Sequence, residues 1–301
     1  MSAVEPRRTI EAAFLRACRA ELAAIKPGNV HIHAPGHDMD AETFERAALA
    51  AAPIIADPAL SVGRRVLEAT RASFAAAGCN ANLGIVLLAA PLARTFETME
   101  ASGPGALEDA LRRTLTAFSE DDAADVFAAI AHASPGGLGE AGAHDVRHAP
   151  RISLIEAMRL SADRDLIAHQ YATGYSDIFR TGLAAPDAAP ASIIDHPALG
   201  PAFAIYLAYT TRFADSHIGR KFGPERAESV RLRFARLAAA ITPTADPDEV
   251  AANALRLDAE LKSEGLNPGT SADLTVATLF ALDLARTAFF PHPLRNVPRD
   301  D

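Results

Sequence analysis

The chain has 301 residues, 49% hydrophobic and 22% charged, enough to bury a substantial core in one large domain or two small ones. A formal charge of -9 argues against a nucleic-acid-binding surface and leaves only a local basic pocket for a small anion. The two cysteines, Cys18 and Cys79, lie far apart and give neither a disulfide framework nor a zinc ribbon.

Residues 1–8 lack a basic segment followed by an apolar one, so no signal peptide is read and the cytoplasm is the expected compartment. From 10 to 25, Ile10, Phe14, Leu15, Cys18 and Leu22 recur at helical spacing. The same period predicts helices over 41–56, 60–77, 83–99, 106–118, 123–132 and 152–171, then 197–214, 224–241, 247–263 and 271–290. The longest apolar run, 83–93, is too short for a bilayer and contains Pro91, so no membrane partner is expected. No stretch alternates with period two, and Ala, Leu, Arg and Glu fill the segments. The expectation is an all-α protein of about eleven helices in a single domain spanning 1–301.

Four polar islands interrupt this chain. In Lys26-Pro27-Gly28-Asn29 the Pro and Gly stop a helix, and Lys26 is placed to meet a phosphate. The following His31, His33, His37, Asp38 and Asp40 admit three readings: a solvated loop with Asp40 as a helix cap, a hard-metal role for Asp38, or a His-rich transition-metal site. In Gly78-Cys79-Asn80-Ala81-Asn82-Leu83-Gly84, one Asn caps the next helix and the other is left for a ribose or base edge. Cys79 has no base near it in sequence. Within the helix expected over 152–171, Glu156, Asp163 and Gln170 recur every seven residues and so share one face. That face is either solvated or part of an ion network with Arg164 and Asp165. In the third island, Asp215, His217, Arg220 and Lys221 suit a metal-bound polyphosphate, although cations at a helix C-terminus also complement its dipole. The fourth, Gly269-Thr270-Ser271-Ala272-Asp273, is a helix cap whose Asp273 is a second metal candidate.

Taken in order, these residues resemble the triphosphoribosyl-dephospho-CoA synthase family, which makes the prosthetic-group precursor of citrate lyase and malonate decarboxylase. The resemblance rests on Lys26 to Asn29, on Asn80-Ala81-Asn82-Leu83-Gly84, on Pro135 to Gly139, on Glu156-Ala157-Met158 with Asp163-Arg164-Asp165, on Asp215 with Arg220 and Gly223, and on Gly269 to Leu274. It is nearest the shorter branch found in archaea and methylotrophs. It departs from the citrate-lyase members, which have Asn-Thr-His-Lys at the second island and Asn where His217 stands, and this leaves the ribosyl acceptor open.

The resemblance implies an all-α fold and a transferase that moves the triphosphoribosyl group of ATP to the 2′-hydroxyl of 3′-dephospho-CoA, or a related acceptor, and releases adenine. Breaking the N-glycosidic bond builds positive charge at the ribose C1′, so the site must hold a polyphosphate, steady a cation and move protons. The implied roles give Mg²⁺ to Asp215 and Asp273, with Asp38 as a third ligand. Lys26, Arg220 and Lys221 would help to hold the polyphosphate, Asn80 and Asn82 would position ribose or base, Asn29, Arg164 and His217 are further substrate-binding candidates, and Glu156 or Asp163 would be the base. The alternatives are a Mg²⁺-dependent nucleotide or ADP-ribose-type hydrolase, and a helical protein that binds a nucleotide without turning it over.

Overall fold

Helix α4 (Leu83–Thr98) forms the centre of the molecule because its sequence is apolar on every side, and every residue from 83 to 93 is buried. The structure is a computed structural model and describes residues 4–133 and 153–287. Around α4 pack α1 (Val4–Ala23), α2 (Ala41–Ile55), α3 (Val62–Ala77), α5 (Pro104–Thr116), α6 (Glu120–Ala133) and α15 (Gly269–Arg286). The longest apolar run of the sequence is therefore a core helix. Among the described residues no helix is long and apolar enough to cross a membrane.

Pro91 sits inside α4 and has no N–H to give the carbonyl of Leu87 one turn earlier. The hydroxyl of Tyr171 donates to that carbonyl at 2.6 Å, and the hydroxyl of Tyr175 donates to Leu88 O at 3.2 Å. Both tyrosines come from the chain around α8 (Leu166–Thr173), so the helix that Pro91 weakens is repaired by its neighbour. The α2–α3 connection is fixed by a buried cation. Arg65 donates to Leu60 O and Ile55 O and pairs with Glu97 of α4 at 2.8 Å.

The second half of the chain adds α7 (Leu154–Ser161), a π-helical turn at Ile178–Gly182, α9 (Ala185–Ala188), α10 (Ala191–Ile194), α11 (Gly200–Arg212), α12 (Ser216–Phe222), α13 (Pro224–Ala239) and α14 (Pro247–Ser263). A second apolar cluster forms here from Phe203 and Tyr206 of α11, Phe234 of α13 and Leu261 of α14. Two helices join the clusters. Ile205 and Tyr209 of α11 and Phe280 of α15 belong to the first, whereas Phe203, Tyr206 and Ala272 of the same helices belong to the second.

The all-α expectation holds, with no strand among the described residues. Among the described residues fifteen α-helices stand in place of the expected eleven. The helices α9, α10 and α12 are too short to show a period, and the helix expected over 152–171 is two helices. Asp165 caps α8, its Oδ1 accepting from Ile167 N at 2.9 Å and Ala168 N at 3.0 Å, and so breaks the run. Glu156, Asp163 and Gln170 therefore do not share one helix face. The Pro135 to Gly139 motif lies outside the described residues.

Replacing Tyr171 by Phe keeps the ring and leaves Leu87 O buried without a donor. The variant should lose about 1–3 kcal/mol, measured as a lower urea midpoint at unchanged slope. An unchanged midpoint would mean that Pro91 needs no such repair.

Candidate active site

A cavity of about 820 Å³ opens where the two clusters meet, and the N-terminal ends of α4, α8, α12 and α15 line it. These ends contribute Leu83, Gly84 and Ile85, then Ile167 and Ala168, then Ser216 and His217, and finally Gly269, Thr270 and Asp273. First-turn N–H groups lack intrahelical partners and carry the positive end of the helix dipole, so the convergence favours negative charge. Met39, Phe44, Leu87, Ile130 and Met158 supply an apolar wall, the usual surrounding of a small organic ligand.

One buried carboxylate aligns two of these ends. Asp215 Oδ1 accepts from His217 N at 2.9 Å and Ile218 N at 3.3 Å, while Oδ2 accepts from Ser271 N and Ser271 Oγ, both at 2.8 Å. Ser216 extends the link: its hydroxyl donates to Thr270 Oγ1 at 3.0 Å and accepts from Leu166 N at 3.2 Å. Asp165 caps α8 with one oxygen and receives Arg220 Nη1 on the other. The Nε of Arg220 is buried without a hydrogen-bond partner among the described residues.

Asp273 behaves differently from Asp165 and Asp215. It lines the cavity, and no described group donates a hydrogen bond to it. Gly84 makes room for it, since a Cβ there would lie 2.0 Å from Asp273 Oδ2 and 2.7 Å from Ile167 Cδ1. Burial first, then the neighbouring Asp215 and Glu21, raise its carboxyl well above the usual range, against the pull of Arg220. Glu21, also in the cavity lining, is 4% exposed and binds Lys26, whose ammonium also donates to Asn29 Oδ1 at 2.8 Å. Burial pushes the Glu21 carboxyl up and the Lys26 ammonium down, opposed by their attraction for each other.

The cavity gathers Asn29, Asn80, Asp163, Arg164, Asp215, His217, Arg220 and Asp273 from the predicted site residues. The others need correction. Lys26 is fully buried behind Glu21 and cannot reach a phosphate. Lys221 points outward over the Phe222 ring. Glu156 is exposed and closes a capping box, its Oε2 accepting from Ser153 N at 2.9 Å and Ser153 Oγ at 2.8 Å, so it is no base for the cavity. Of the two asparagines before α4, Asn80 is the one that accepts from Leu83 N, at 3.2 Å. Asn82 is buried and faces a small void shared with Glu21 and Cys18, not the main cavity. His217 lies in the lining but is no cation there, because burial, joined by Arg220, Lys221 and His37, lowers its pKa against the pull of Asp215.

The predicted Mg²⁺ ligands do not form a set. Asp38 is exposed on its loop and outside the lining, and the lone pairs of Asp215 are filled by its four donors, leaving Asp273 alone. Among the described residues no group of three His, Cys, Asp or Glu side chains stands close enough to hold a metal. The histidines of the first loop are spent separately: His33 Nε2 meets Ala23 O, His37 Nε2 meets Gly28 O, and buried His31 stands 3.4 Å from Asp258.

One residue of the site, Glu21, escapes the sequence reading, and so does the role of a second, Asp165. Glu21 occupies the apolar stripe of α1 with Phe14 and Cys18, and a carboxylate on a buried face is a signal in itself. Asp165 is read from the sequence as part of an ion network, and its capping role is visible only once α8 is recognised as a separate helix. The two cysteines differ in exposure. Cys18 is buried, with its thiol pushed far up by burial, whereas Cys79 is half-buried, 3.7 Å from Met39 Sδ.

A family model described as CitG, ATP:dephospho-CoA triphosphoribosyl transferase, matches residues 7–289. No curated protein matches the chain. Among solved structures, a crystal structure from Archaeoglobus fulgidus, provisionally assigned as a triphosphoribosyl-dephospho-CoA synthase, matches with a TM-score of 0.62. It is 22% identical and the match covers 80% of this chain and 98% of that one, a likeness of fold.

A carboxyl whose pKa is raised by folding binds an extra proton in the folded state, so it costs stability as the pH climbs from the unfolded value near 3.8 through the raised one. Replacing Asp273 by Asn removes that cost. The variant should be more stable than the wild type to urea at pH 8, with the difference shrinking towards pH 4. Equal stability at pH 8 would show that this carboxylate carries no burial strain.

Proposed function

We propose how the cavity carries out the reaction of a chain that belongs to the CitG family of ATP:dephospho-CoA triphosphoribosyl transferases. The observation that carries the reading is the convergence of four helix N-termini, Arg164 and Arg220 on one cavity that is also lined by apolar side chains. ATP has the matching parts, with a polyphosphate at one end and a flat purine at the other. In this reading Arg164 and Arg220 receive the triphosphate. Neutral His217 offers a hydrogen bond to it. Asn29 and Asn80 serve the ribose or the base edge, and the apolar side chains take the purine.

The acceptor, a dephospho-CoA-like molecule, enters at the rim, where Asp163 and Arg164 are exposed. Asp163 has no ion pair among the described residues and is the one proposed base that lies in the lining. It would take the proton of the acceptor hydroxyl as that oxygen bonds to C1′. Mg²⁺ is supported by the chemistry of ATP rather than by a carboxylate set. A cation held by phosphates and water needs no protein cage, and no step here depends on one.

Two measurements test the reading. Purified protein given ATP, with and without 3′-dephospho-CoA, should release adenine only with the acceptor and form an adduct heavier by a triphosphoribosyl unit. Adenine released equally without acceptor would point to hydrolysis, and none at all would remove the reading. Arg164→Ala should raise KM for ATP by roughly ten- to a hundredfold, the loss of one charge-assisted hydrogen bond, at unchanged stability. An unchanged KM would place the triphosphate elsewhere.

A further inference from the structure

We infer that Asp273 is the catalytic acid that gives its proton to the adenine ring as the ring leaves the ribose. This rests on the transferase reading and replaces the metal role that the sequence suggested for the residue.

Adenine is a poor leaving group as an anion and departs readily once a ring nitrogen is protonated, so the site needs a carboxyl that keeps its proton in the cavity. Three aspartates from the capping ends reach the lining, and two are already spent. Asp215 is filled by four donors, and Asp165 holds the first-turn amides of α8 and Arg220. Of these three, Asp273 alone faces the cavity with no donor among the described residues, and the missing side chain of Gly84 leaves space for Oδ2.

The charges around it also favour the acid form. Glu21 and Lys26 stand on the α1 side, Asp215 and Arg220 on the α12 side, and Asp165 at the start of α8. Both cations are engaged, Lys26 with Glu21 and Arg220 with Asp165. Asp273 thus faces three carboxylates with no cation of its own, and a proton is the neutraliser that the surroundings leave it. Burial acts in the same direction.

The step balances within the reaction. The C1′–N9 bond breaks and its electron pair passes into the purine, while the Asp273 carboxyl protonates a ring nitrogen and becomes a carboxylate. The acceptor oxygen supplies the pair for the new C1′–O bond. Its proton leaves through Asp163 and water, from which Asp273 is recharged before the next turnover.

The test compares two donors. ATP needs a proton on its base, whereas 7-methyl-ATP carries a base already cationic that leaves without one. With ATP, Asp273→Asn should lower kcat on the order of a hundred- to ten-thousandfold. With 7-methyl-ATP it should stay within about tenfold of the wild type, and its affinity for ATP should change by no more than about threefold, which shows an intact pocket. The high-pH fall of the wild-type kcat/KM profile should vanish in the variant. Equal losses with both donors, or a loss with ATP reversed by excess Mg²⁺, would overturn the assignment in favour of a positioning or metal-binding role. A wild-type chain without acceptor-dependent adenine release would instead overturn the transferase reading, and the acid with it.

Discussion

The site depends on one carboxylate that faces into the protein. Asp215 binds the first turns of two helices at once, and a carboxylate accepting four N–H and O–H groups is held far more firmly than one in an exposed pair. It fixes where α15 begins, and Asp273 follows Ser271 by two residues, so the free acid of the cavity takes its place from the satisfied one. Through Ser216 the same junction reaches α8, whose capping Asp165 holds Arg220. Cavity wall, cation and acid all descend from a single junction of helix ends.

The first polar island does a second kind of work. Lys26 holds Glu21 and Asn29, and Asn29 Nδ2 donates to Asn267 Oδ1 at 2.8 Å, just before α15. Gly28 takes φ of +82° where a Cβ would press within 2.9 Å of Leu266 O, and its N–H donates to Asp258 of α14. Tyr206 of α11 donates to Pro27 O at 2.8 Å. Four residues thereby tie the end of α1 to three later parts of the chain. Lys26 serves the site by holding Glu21 and Asn29 in place.

The helical class was legible because amphipathic periodicity and caps are local properties. The idea that the islands meet was legible too, since uncharged amides, carboxylates and arginines gathered at helix ends exceed what capping requires. Which residue of an island faces the cavity was not. Asn80 and Asn82 are equally good caps on paper, and only the packing of α4 decides that Asn80 takes Leu83 N while Asn82 turns inwards. Lys26 and Arg220 look alike as cations in sequence. One is neutralised inside the protein by a residue five positions earlier, the other at the cavity by a residue fifty-five positions away. Asp215 was singled out for the right place and the wrong reason, because the number of donors around a carboxylate appears only in three dimensions.

Cys79 has a consequence of a practical kind. It follows Gly78 in the turn before α4, touches Met39 and precedes Asn80, and both of those line the cavity. The other thiol, Cys18, is sealed in the core. A thiol-reactive dye of modest size would therefore attach at a single position, beside two residues of the cavity lining. The chain carries its own fluorescent reporter position, and filling of the cavity by a nucleotide could be followed in real time without introducing a cysteine.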